Sequence, residues 1–131
     1  LDVAMSEKHR LAQKPSVTVR DLAGEEWVSV QDGFPLVPAL QALAVHAGQP
    51  LNIAHQINEF FIAAEIVAAG NAVALMPRHT AAPRPGSGLV LKPIRDLPLA
   101  RHVDLLCRPE ALHRSAVQQV VTALRQIVAA P

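Results

Sequence analysis

At 131 residues, half of them apolar, the chain has the length of one domain and can bury about two-thirds of its unfolded surface, so a core forms without metal or disulfide staples. Twelve Lys plus Arg against eleven Asp plus Glu, with no basic cluster, exclude a surface built to grip nucleic-acid phosphates, and an aromatic content of 3% excludes a stacking platform for single strands. One cysteine excludes an internal disulfide, and neither a secretory leader nor an apolar run long enough to cross a bilayer is present, so the cytoplasm is the expected compartment.

Leu1 to Met5 reads as a strand with no preceding turn or cap, which predicts that the chain begins inside a larger protein. The polar stretch Ser6 to Ser16 reads as a loop crossing the surface. Thr18 or its neighbour caps a short helical turn with Val19, Leu22 and Ala23 on its apolar face and Gly24 at its end, and Trp27 to Val30 follows as a strand. After the loop Gln31, Asp32 and Gly33, the spacing of Leu36, Leu40, Leu43 and Ala47 predicts a helix from Pro35 to Ala47, stopped by Gly48 and Pro50, with Pro38 in its first turn.

Leu51 to His55 is the next strand. Asn58 caps a helix from Glu59 to Ala69, apolar nearly all round, and Gly70 is expected to end it in the left-handed conformation. Val73 to Met76 is an uncharged apolar run of the kind found in strands buried on both faces, and Pro77 stops it. Ala81 to Gly88 is an exposed loop rich in proline and glycine. Leu89 to Ile94 and His102 to Cys107 are further strand candidates, the latter making Cys107 a small buried hydrophobe. Val117, Val120, Val121, Leu124, Ile127 and Val128 mark an amphipathic helix from Ser115 to Ala130 that needs a partner surface.

In this order the segments resemble the effector-binding domain of LysR-type transcriptional regulators. LDVAMSEKHRLA is similar to the family's crossover strand and its His-Pro-Leu-Ala pattern, and VTVRDLAGEEWVSV to its Asp-Leu and buried aromatic before the next strand. EIVAAGNAVALMPR is similar to the valine, Ala-Gly and Leu-Pro run, KPIRDLPLARHVDLLCRP to the Pro-Leu and Arg-to-strand segment, and AVQQVVTALRQIV to the last helix. Arg10 stands where the family usually has proline, and Asn71-Ala72 replaces a common glycine-containing pair.

The resemblance implies an α/β, periplasmic-binding-protein-like (type 2) lobe with a mixed, mostly parallel sheet and helices on both faces. It divides the chain into a crossover strand and loop (1–15), a second subdomain (16–107), and a closing segment with a C-terminal helix (108–131) that packs on a first subdomain. That first subdomain, a winged helix-turn-helix and a linker helix are expected outside these residues, so DNA is touched only there. It further implies homo-oligomers, dimer or tetramer, and a small effector that is often a carboxylate or aromatic acid. No cofactor is expected.

In open α/β sheets ligands bind beyond the carboxyl ends of strands, where helix N-termini present free amides. Two junctions qualify, Asp32, Gly33 and Phe34 before the helix at Pro35 and Gln56, Ile57 and Asn58 before the helix at Glu59, and Met76, Pro77 and Arg78 at the end of the third strand make a third edge. Asp32 and Asn58 read equally as helix caps, and Arg78 either pairs with a carboxylate or is simply solvated. The six histidines, at 9, 46, 55, 79, 102 and 113, fall at no ligand spacing and read as surface or satisfied residues. Ser29, Ser87 and Ser115 lack a nucleophile-elbow pattern, so no enzyme is expected. The alternative is a solute-binding lobe of a transport system; a small hydrolase or transferase would need a perturbed His55 or Cys107.

Overall fold

The structure, a computed structural model, describes residues 1–79 and 83–129. Five strands form one sheet: β1 (Asp2–Ser6), β2 (Glu26–Ser29), β3 (Asn52–Gln56), β4 (Val73–Met76) and β5 (Leu89–Lys92), in the spatial order β3-β2-β4-β1-β5. β2 pairs in parallel with β3 and with β4, whereas β1 lies antiparallel between β4 and β5, so the sheet is mixed. Alternation along the strands divides the core in two. Val3, Met5, Trp27, Val73 and Leu75 face one layer; Ala4, Val28, Ala74 and Met76 face the other.

Helix α1 (Val37–Ala47) covers the first face through Leu36, Leu40 and Leu43, joined there by Leu22 from a 3-10 turn (Arg20–Leu22). Pro38 lies in the first turn of α1, where a missing N–H costs no helix bond, and Gly48 closes it at φ 68°. Burying a side chain such as Leu43, 1% exposed, stabilises by roughly 1.5–3 kcal/mol. Helix α2 (Phe60–Ala69) covers the second face with Ala63 and Val67, so helices lie on both faces as expected. Its outer side is more apolar than water favours, with Phe61 74% and Ile62 47% exposed.

Several expectations are corrected. Gly70 ends α2 in extended backbone, φ −132°, not in the left-handed conformation. The segment 7–16 does not merely cross the surface, because His9, Leu11 and Ala12 are buried in it. Thr18 does cap the following turn, its Oγ1 accepting from the Asp21 N–H (3.2 Å) while Asp21 Oδ2 accepts from the Thr18 N–H (2.9 Å). β5 matches its predicted start, and Ile94 continues it only as a single bridge to Val17. Of the predicted loop Ala81 to Gly88, Ala81 and Ala82 lie outside the described residues, as does Ala130 at the predicted end of the last helix.

The chain divides into two compact units, Leu1–Arg101 and His102–Pro131. The first holds the sheet and both core layers. In the second, a 3-10 turn (Pro109–His113) precedes α3 (Ser115–Ala129). The predicted strand His102 to Cys107 is absent: the segment pairs with nothing among the described residues, and Val103, Leu105 and Leu106 are 76%, 56% and 90% exposed. An apolar run becomes a strand only with a ladder beside it. Cys107 is accordingly exposed rather than buried. On α3, Val120, Leu124, Ile127 and Val128, all from the apolar side of its amphipathic pattern, are exposed.

Candidate functional site

β2, β3 and β4 run in one direction, so the segments that leave their carboxyl ends emerge at the same end of the sheet. These segments contain both predicted junctions and the third edge. Ser29 is the ladder partner of Gln56, and the Ile57 N–H donates to the Ser29 carbonyl (2.8 Å), carrying the β2–β3 ladder one residue beyond the strands. Next to it, Asn58 reaches across to the loop after β2. Its Oδ1 accepts from the Gln31 backbone N–H and its Nδ2 donates to Gln31 Oε1, both at 2.9 Å. An aromatic contact runs parallel to this clasp, with the rings of Phe34 and Phe60 edge to face at 6.2 Å and 72°.

The capping reading of Asp32 and Asn58 does not hold. The N-caps are Leu36 for α1 and Glu59 for α2, and neither makes a side-chain cap bond. Asn58 is instead a cross-loop clasp, and Asp32 lies exposed in a turn whose Gly33 adopts φ 84°. Gln56 is exposed, Ile57 and Pro77 are half-buried, and Met76 belongs with its side chain to the α2-side core. Met76 therefore supplies the position of the strand end rather than an open side chain.

Arg78 is not simply solvated. Its Nε donates to Asp2 Oδ2 and its Nη2 to Asp2 Oδ1, both at 2.7 Å, a bidentate pair between the segment after β4 and the first residue of β1. β1 runs antiparallel to β4, so its start lies beside the end of β4, with Asp2 opposite Met76. The carboxylate is 4% exposed and the guanidinium 56%. The Arg78 hydrogen bond holds the Asp2 carboxyl below its ordinary range, outweighing the upward push of burial, and Asp2 raises Arg78 in turn.

Sequence reasoning missed three contributors: Asp2, Gln31 and Phe60. Asp2 is the one charged residue of a buried strand, the kind of local inconsistency that points to a partner. Gln31 and Phe60 gave no such signal.

The histidines behave as read. His9 accepts the Leu11 N–H at Nδ1 (3.3 Å) and places Nε2 on Glu25 Oε2 (3.2 Å), and Arg10 also pairs with Glu25. These contacts tie the loop after β1 to the entry of β2. Asp21, hydrogen-bonded first by Lys14 and then by Thr18, is lowered to about 2. The other five histidines are exposed. Among the described residues no three metal-binding side chains cluster, and no helix is long and apolar enough to cross a membrane.

The chain is similar to known proteins over nearly its whole length. The DNA-binding transcriptional dual regulator OxyR of Escherichia coli K12 is 28% identical over 124 residues, covering 94% of this chain; the chain spans 41% of that relative's length. The crystal structure of the reduced form of OxyR superposes with a TM-score of 0.71 at 27% identity, over 95% of this chain and 58% of that one. The regulatory domain of Synechocystis PCC6803 CcmR in complex with 2-PG shares the fold at a TM-score of 0.75 and 16% identity, over 98% and 62%. The effector binding domain of QuiR in complex with shikimate does so at 0.68 and 19%, over 76% and 47%. The family described as LysR substrate binding domain matches residues 1–129, the fold is a mixed sheet covered on both faces, and the chain belongs to that family.

Proposed function

We propose that this chain is the effector-sensing part of a cytoplasmic, homo-oligomeric LysR-type transcriptional regulator, in which a small organic acid binds at the end of the sheet lined by Asp32, Gly33, Phe34, Gln56, Ile57, Asn58, Pro77 and Arg78, with Met76 anchoring the last segment. The observation that carries the reading is the convergence of three strand ends on one edge, two of them joined by the Gln31–Asn58 clasp and the third bearing Arg78. Such an edge offers amide groups, aromatic rings and a guanidinium to a ligand of modest size. CcmR and QuiR, similar in fold, are described with 2-PG and with shikimate. The first subdomain, DNA contact and assembly as dimer or tetramer belong to the longer protein.

The mechanism is a shift of population. The effector favours whichever arrangement of the lobes it binds more tightly, and only that difference in affinity reaches the DNA-binding region. On this reading the chain binds without turnover, and the curated relative it matches is a transcriptional regulator. Calorimetry with a panel of small carboxylates against the full-length regulator tests the reading. Asn58→Ala and Arg78→Ala should each weaken the acid that binds, and unchanged affinity in both variants would remove this edge from the site.

A further inference from the structure

We infer that Asp2 is a positioning residue for the effector: it holds Arg78 in a fixed orientation at the ligand edge so that the free side of the guanidinium receives an anionic group. This rests on the reading of the edge given above.

Charge along the edge singles Arg78 out. Residues 30–36 carry Asp32 and no Lys or Arg, residues 56–60 carry Glu59 and no Lys or Arg, and residues 76–79 carry Arg78 followed by His79. An anion arriving here meets acidic side chains from two segments and a permanent cation from one. A free arginine is a poor trap, because its long side chain surrenders rotamer freedom on binding.

Arg78 has surrendered it already. Both oxygens of Asp2 are engaged, one by Nε and one by Nη2, which fixes the plane of the guanidinium and leaves the opposite side of the fork outside the pair. Asp2 cannot follow the arginine away, since it is held in β1 between β4 and β5 with its carboxylate 4% exposed. The negative charge of Asp2 also opposes an incoming anion. With the guanidinium 56% exposed, water screens that repulsion, and the prior ordering of the side chain outweighs it.

The test is a titration of the ¹⁵N-labelled chain with benzoate, inorganic phosphate and, as an uncharged control, benzamide. The wild type should show a resolved Arg78 Nε–H signal that shifts saturably with one or both anions and not with benzamide. Asp2→Asn should lose the sharp Nε–H signal and weaken the anion at least fivefold. Asp2→Glu, which keeps the charge, should restore part of the affinity. Arg78→Lys, a change at a half-exposed side chain that preserves the fold, should weaken the anion although the positive charge remains. Equal or tighter anion binding by folded Asp2→Asn overturns the positioning role, because Asp2 would then be a competitor. Unaltered affinity in Arg78→Lys overturns it as well. Failure of the underlying reading looks different: no saturable shift at Gln31, Asn58 or Arg78 in the wild type, or shifts at Gln31 and Asn58 that survive Arg78→Ala.

Discussion

Replacing Asn58 by alanine distinguishes a clasp between loops from a helix cap, because the two roles protect different amides. The clasp consists of two hydrogen bonds of 2.9 Å between exposed groups. Each is worth about 0.5–1.5 kcal/mol net, and exposure puts both near the lower end. Asn58→Ala should therefore cost about 1 kcal/mol. The only tryptophan, Trp27, is 1% exposed in β2 and reports unfolding directly. With a urea slope of roughly 2 kcal/mol per molar for a chain of this size, the midpoint should fall by about 0.5 M without a change in slope.

Amide exchange gives the sharper comparison. In the clasp, the Gln31 N–H loses its acceptor in Asn58→Ala and should exchange about fivefold faster or more. A cap at Asn58 would instead expose the N–H groups of Phe60 and Phe61 at the start of α2. Gln31→Ala separates the two bonds further, for it deletes the partner of Nδ2 and keeps the backbone donor, so it should cost about half as much. Faster exchange at Phe60 and Phe61 with Gln31 unchanged would refute the clasp.

The two helix-ending glycines should respond oppositely. Gly48→Ala, at φ 68°, should destabilise by about 1–2 kcal/mol, whereas Gly70→Ala, at φ −132° with its new Cβ in ordinary contact 3.5 Å from the Ile66 carbonyl, should be neutral or stabilise by about 0.4–1 kcal/mol in the same urea assay. The Asp2–Arg78 pair should make stability fall in acid. Because the folded carboxyl titrates below its ordinary value, its contribution is complete above about pH 4 and fades as pH drops through the folded value. Asp2→Asn should cost about 1–3 kcal/mol at pH 7, with the difference from wild type shrinking below pH 4. Working with that difference removes Asp21, which titrates at about 2 in both proteins.

What could be read from the chain and what could not separate by range. β4 was legible to the residue because Val73 to Met76 is apolar without interruption and proline follows; for α1 the end was legible, because Leu36, Leu40 and Leu43 repeat at the helical period before a glycine, while its start lies two residues beyond the expected Pro35. The conformation of Gly70 was not, since a glycine ends a helix equally well in left-handed or extended backbone and only the path into β4 decides. His102 to Cys107 has strand composition, yet composition cannot provide a neighbouring ladder, and among the described residues none lies beside it.

The same division runs through the candidate site. Its proposed location was read from three strand ends, two of them opening helices, each encoded within a few residues. Its internal wiring joins Gln31 to Asn58 across 27 positions and Arg78 to Asp2 across 76. The second link depends on β1 being inserted antiparallel between β4 and β5, a choice of neighbours that no local pattern expresses. Once that insertion is known, the one acid in a buried strand acquires a reason: it lies where the strand begins, beside the end of β4, within reach of the arginine that the edge presents. A residue that looks anomalous in its own segment is thus the place where the sequence records a long-range contact.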